Sequence, residues 1–264
     1  MGFLWTESKN KYLRFYVYHS IYHPSGMPTL TEQVVVSCEH GGNEIPDRLT
    51  TRFENHQDLL QSHYGWDPGA LAFAQKISSE LHAPLIFQTV SRLVVECNRT
   101  INHPQLWSNV TGSLPAVEKN YWLEEIYLPY REQLRAHIAA KASSGLPAVH
   151  LSSHSMTHQV GDSIRHMDVA LLFDPKRPYE QAFCEAWGKQ LHTMNANLVV
   201  AYNEPYQGYN DGQVTWLRGM FDGQEYIGIE LELNQKHVDT ERWEPLMEVV
   251  SGAFQKTLAT FSLS

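Results

Sequence analysis

A chain of 264 residues with 42% hydrophobic and 19% charged side chains has the make-up of a folded globular protein with room for a sizeable core, which excludes the disordered and membrane-embedded classes. Its formal charge of −9, from 29 acidic and 20 basic residues, leaves no broad cationic face for nucleic acid phosphates or anionic lipid, so neither is an expected partner. No run approaches the roughly eighteen consecutive apolar residues of a membrane span and no secretory pattern opens the chain, so a cytoplasmic location is expected.

Residues 1–26 are rich in aromatics without a settled period and read as an irregular extension to one domain over 27–264. From Gln33 onward short β-rich runs alternate with helix-period runs, the pattern of an α/β protein with a mixed, mostly parallel sheet covered by helices on both faces. Strands are expected at Val34–Ser37, Leu85–Val90, Leu93–Cys97, Ala148–Ser152, Asp168–Phe173, Leu198–Ala201 and Tyr226–Leu233. The first long helix should start at Asp67 and Pro68, an N-cap and first-turn pair, and run to Leu81. A longer one is expected over Val117–Ala142, with Ile126, Tyr130, Leu134 and Ile138 on one face, and two more over Tyr179–Met194 and Trp243–Phe261. The irregular stretch Tyr202–Gly223 is long for a connection inside a domain, and loops of that kind usually carry function. Cys38, Cys97 and Cys184 are odd in number and unpaired in spacing, which indicates neither a disulfide framework nor a thiolate zinc knot.

Four constellations carry chemistry. In VVVSCEHGGNEIP a strand ends beside His40, and Gly41 and Gly42 permit a turn that lets His40 and Glu44 face one metal ion; polar turn residues in water are the plainer alternative. In HLSSHSMTH a second strand ends at His154, and two histidines with one carboxylate leave a tetrahedral zinc one open position, as catalytic sites require. His63, His103, His158 and His166 are assigned no such role. In SRLVVECNRT a strand carries Arg92 and closes with Asn98 and Arg99, forks and an amide suited to a small anionic substrate, or for either arginine alone to a surface ion pair. In YIGIELELNQ strict alternation puts Ile227, Ile229, Leu231 and Leu233 on one face and Gly228, Glu230 and Glu232 on the other. Glu232, nearer the carboxyl end, is the better candidate for a general base.

Together SCEHGGNEIP, the WDPGA segment with Asp67, SRLVVECNR, the HSM segment with His154 and IELELNQ resemble the N-formylglutamate amidohydrolase family, in order from about Gln33 to His237. That family is similar to zinc carboxypeptidases and the aspartoacylase group, and the resemblance implies a phosphorylase/hydrolase-like α/β fold with a single zinc. It implies His40, Glu44 and His154 as metal ligands, Glu232 as the catalytic glutamate, and Arg92, Asn98 and Arg99 at the carbonyl-polarising and substrate-carboxylate positions. Related zinc groups place two residues between the first histidine and the glutamate, where three stand here; Asn43 fills the shorter spacing, but an amide is a poor zinc ligand beside a carboxylate, which favours Glu44. The expected activity is hydrolysis of the amide of an N-acyl amino acid or similar small anion. Cleavage of a longer peptide at the same centre is the second reading, and a non-catalytic metal or amino-acid binder the third.

Overall fold

The computed structural model describes residues 10–16 and 28–263. In chain order these form β1 (Arg14–Tyr16), β2 (Val34–Cys38), the short α1 (Thr50–Phe53) and α2 (Gln57–Gln61), α3 (Ala70–Leu81), β3 (Leu85–Phe87), α4 (Ala116–Trp122) and α5 (Leu128–Ala142). They continue with β4 (Ala148–Met156), the hairpin β5 (Gln159–Val160) and β6 (Ser163–Ile164), β7 (Val169–Leu172), α6 (Pro178–Met194), β8 (Val200–Tyr202), α7 (Gln213–Arg218), β9 (Tyr226–Asn234) and α8 (Trp243–Thr260). Apart from the hairpin, the strands make one sheet in the order β1-β3-β2-β4-β9-β7-β8. The central pairs β3/β2, β2/β4 and β4/β9 are parallel, and β1/β3 and β9/β7 are antiparallel. This is the expected mixed α/β sheet. The irregular extension expected over 1–26 lies outside the described residues except at 10–16, where β1 adds an edge strand beside β3.

Both faces of the sheet are covered, because its central strands carry apolar side chains on both sides. One face buries Val34, Val36, Val149, Leu151, Ile227 and Ile229 under α3, α6 and α8, whose Phe73, Ile77, Trp187 and Phe254 are fully enclosed. Each such side chain contributes roughly 1.5–3 kcal/mol. The other face buries Val35, Ile86 and Ala148 under α4, α5 and α7. Along α5 the expected stripe is buried throughout: Ile126 just before it, then Tyr130, Leu134 and Ile138. A wide turn at Leu123–Tyr127 joins α4 to α5 ahead of Pro129. Proline offers no N–H to the carbonyl four residues back, and the Asn10 side-chain amide donates to that Glu125 oxygen instead, at 2.7 Å.

Three expected strands differ most. The run Leu93–Cys97 is buried but is a chain of turns rather than a strand, because side chains take its backbone groups: the Ser108 and Thr111 hydroxyls both donate to the Leu93 carbonyl, and Arg131 donates to that of Cys97. A short apolar run has no period of its own to separate the two conformations. β3 stops at Phe87 rather than Val90, since the Gln88 side-chain oxygen accepts from the backbone N–H of Thr89 and Val90. β4 runs four residues past Ser152, which places His154 inside the strand instead of beyond its end. Among the described residues no helix is long and apolar enough to cross a membrane.

Candidate metal centre and cleft

Parallel pairing brings the carboxyl ends of β2, β4 and β9 side by side, the usual place for a ligand in an α/β sheet. His40 follows β2, and the register of β4 on β9 sets His154 opposite Glu232 and Ser152 opposite Glu230. The His40 and His154 rings lie 5.0 Å apart between centroids. Asp67 completes the group: its Oδ2 is 3.1 Å from His40 Nδ1 and 2.9 Å from His154 Nδ1. All three side chains are buried, and one donor atom from each lies within 4.8 Å of the others.

Glu44, expected as the carboxylate ligand, is not among them. Its backbone is pinned in a parallel bridge to Val90, and its side chain, 55% exposed, turns outward to Arg14 at 3.2 Å. Gly41 and Gly42 serve a different purpose from the one expected. A Cβ on Gly42 would stand 2.6 Å from the Thr89 carbonyl oxygen, so the glycines let this loop press against the chain leaving β3. Asp67 reaches the site because the WDPG turn holds it there. Gly69 has φ +82°, a left-handed conformation suited to glycine, and α3 starts only at Ala70, so Asp67 is not its N-cap. The Ser155 and Ser153 hydroxyls on β4 donate to the carbonyls of Pro68 and Ala70, fixing the turn beside His154.

Each histidine is backed on its far nitrogen. His40 Nε2 lies 2.6 Å from a Glu96 oxygen, and Glu96 in turn takes the Arg92 guanidinium at 2.6 Å. His154 Nε2 lies 2.9 Å from Ser152 Oγ and 3.2 Å from Glu39. A carboxylate behind an imidazole fixes its tautomer and aims the other nitrogen at an ion. Burial opposes charge here, yet the Arg92 guanidinium and His40 hold Glu96 well below the carboxylate range, and the His154 hydrogen bond does the same for Glu39. Burial likewise opposes charge on Asp67, which His40, His154 and Arg92 hold low. The donor set, two imidazoles and a carboxylate in a surplus of negative charge, fits a divalent ion of the zinc type.

The group opens on a cleft of about 170 Å³. Asn98, Arg99, Glu230 and Glu232 line it, as does Arg92. Burial pushes the Glu232 carboxyl up to about 8, with Asp67 and Glu230 adding to the rise and His154 opposing it, and its Oε2 is buried without a hydrogen-bond partner. Arg92 spends Nε on Glu96 and reaches Asp67 at 3.4 Å, so it steadies the two carboxylates. Arg99 is tethered to the Asp211 carbonyl, and the Asn98 oxygen accepts from the N–H of Gln213 at the start of α7. Tyr206, Asn210 and Asp211 make the stretch Tyr202–Gly223 a wall of the cleft, in keeping with its unusual length. His63 also lines it, although the sequence assigned it no role, whereas the His158 ring meets the Arg165 carbonyl, just past the β5–β6 hairpin, at 3.1 Å. Asp67, Glu39 and Glu96 are brought to the site without any such expectation from the sequence, although all three stand inside the segments that carry the family resemblance.

Beneath the site His150 is fully buried between the Tyr226 hydroxyl at 2.6 Å and Ser37 Oγ at 2.8 Å. Burial pushes it down to about 4. It is therefore neutral in the fold and charged when unfolded below its ordinary value of about 6.5, so stability present above that pH is lost as pH falls towards 4, by about 3 kcal/mol. His150→Gln does not titrate and is expected to flatten this part of the profile. Urea unfolding of chelator-treated protein from pH 7 to 4.5 checks it, and identical profiles for variant and wild type would rule it out.

Residues 32–238 match the profile of a family described as N-formylglutamate amidohydrolase. Among solved structures, gene product Atu2144 from Agrobacterium tumefaciens superposes with a TM-score of 0.74 at 25% identity, over 87% of this chain and 91% of that one. N-formylglutamate amidohydrolase from Ralstonia eutropha JMP134 does so with a TM-score of 0.67 at 15% identity, over 94% and 97%, a likeness of fold alone. No curated protein sequence matches the chain.

Proposed function

The chain belongs to the N-formylglutamate amidohydrolase family, and on that premise we propose that it is a zinc-dependent hydrolase of the amide bond in a small, anionic N-acyl amino acid. The observation that carries this reading is the buried His40–Asp67–His154 group, opening on a cleft in which Glu232 has an unpartnered oxygen. A cleft of about 170 Å³, walled by the Tyr202–Gly223 stretch, suits a small substrate better than an extended peptide.

His40, Asp67 and His154 would hold the ion, which supplies Lewis acidity towards the scissile carbonyl and positive charge that draws the Glu232 carboxyl back towards its ionised form. Glu232 then takes a proton from the attacking water and returns it to the leaving amine. Arg99 pairs with the substrate carboxylate, with the Asn98 amide beside it, while Arg92 keeps Glu96 and Asp67 charged and in place. Hydrolysis of a panel of N-formyl, N-acetyl and N-succinyl amino acids, with and without chelator, tests the assignment. Chelator-sensitive turnover of at least one of them is expected; no turnover of any by zinc-loaded protein would refute it.

The carboxylate clamp has its own test. Arg99→Met removes a contact present in ground and transition states alike, so KM for an anionic substrate should rise about 10- to 100-fold with metal content unchanged. An unchanged KM would reduce Arg99 to a tether for the Asp211 carbonyl.

A further inference from the structure

Behind His154, on the side away from Asp67, lies a carboxylate whose side chain is wholly buried: Glu39. Among the described residues its ion-pair partner is that histidine, with neither lysine nor arginine in the role. Three hydroxyls converge on it instead. Ser37 and Tyr130 donate to Oε1, each at 2.8 Å, and Ser152 donates to Oε2 at 2.7 Å.

An ionised carboxylate can only accept, so each of these hydroxyls has its hydrogen committed to Glu39. Ser152 Oγ is left with lone pairs for His154 Nε2 at 2.9 Å, and that nitrogen must then carry a proton. By the same logic Ser37 requires a proton on His150 Nε2, and His150 Nδ1 accepts from Tyr226. Every hydrogen in the chain from Tyr226 to His154 is thus directed by one charge. Glu96 meets His40 Nε2 in one short contact of 2.6 Å, whereas His154 Nε2 lies closer to the Ser152 hydroxyl, at 2.9 Å, than to Glu39 itself, at 3.2 Å.

Given the zinc site proposed above, we propose that Glu39 is a positioning residue of that site: acting through Ser152, it keeps the His154 proton on Nε2 and presents Nδ1 to the ion. Glu39→Gln puts an amide N–H where a hydroxyl donor now points, so at least one of the three donors must turn away and the direction of the chain is lost. Ser152→Ala removes the shorter, hydroxyl-borne link to His154 while leaving the Glu39 charge and its 3.2 Å contact with Nε2. Both variants are expected to weaken zinc binding about 10- to 100-fold, read by competition with a chromophoric chelator. Tyr226→Phe, at the far end of the chain, should leave zinc affinity as in the wild type. With cobalt(II) as a spectroscopic probe, the visible band of the loaded protein should change in Ser152→Ala and persist in Tyr226→Phe.

Wild-type zinc affinity and an unaltered cobalt band in Ser152→Ala would overturn the proposal, even if Glu39→Gln does not fold. Equal weakening in Tyr226→Phe would overturn it too, by making the loss a general effect of damage to the core. A wild-type protein that binds no zinc would instead remove the metal site itself, so the two failures are told apart.

Discussion

Glu232→Gln is expected to lower turnover by about 10²- to 10⁴-fold while bound metal stays at the wild-type level. The substitution keeps the shape of the side chain but removes its capacity to accept the water's proton. Glu232 and Glu230 both line the cleft, on the same face of β9, two residues apart, about 7 Å at a rise of roughly 3.3 Å per residue. They differ in surroundings: Glu232 lies opposite His154 and its Oε2 has no partner, while Glu230 lies opposite Ser152. Glu230→Gln should therefore cost much less turnover. Side-by-side kinetics with metal analysis check the ranking, and the reverse order would shift the reacting centre by one residue pair along β9.

Asp67→Ala and His154→Ala should each abolish stoichiometric zinc, whereas Glu44→Ala should leave about one ion per chain. Asp67 lies within 3.1 Å of both imidazoles, and losing it leaves two histidines facing each other with no carboxylate between them. Glu44 loses only an exposed pairing with Arg14, of the kind worth about 0–1 kcal/mol. Metal analysis of the three variants, purified without chelator and then incubated with zinc, separates the two ligand sets.

The histidines were legible in the sequence because each stands at or near the end of an apolar run, and the ends of central strands meet in a parallel sheet. The alternation in β9 was legible for a similar reason: Ile227, Ile229, Leu231 and Leu233 are enclosed against α6 and α8, and the glutamates share the opposite face. The carboxylate that joins the two histidines was not legible from spacing. A turn at Gly41 and Gly42 could have sent Glu44 inward; what sends it outward is a bridge to Val90, a residue 46 positions away whose pairing no local pattern reveals. Asp67 looked like a helix cap because Pro68 follows it, but the left-handed Gly69 moves the helix start to Ala70 and frees the aspartate for the histidines. Glu39 and Glu96 were overlooked because their role depends on what lies behind an imidazole, and that is set by tertiary packing.

The proposed site stands on His40, Asp67 and His154 holding one ion together. Anomalous diffraction at the zinc edge, from crystals grown with zinc, reads this directly. One strong peak per chain is expected, bonded to His40 Nδ1, His154 Nδ1 and an Asp67 oxygen at about 2.0–2.2 Å from each. A peak ligated by Glu44, or none between the two histidines, would contradict it.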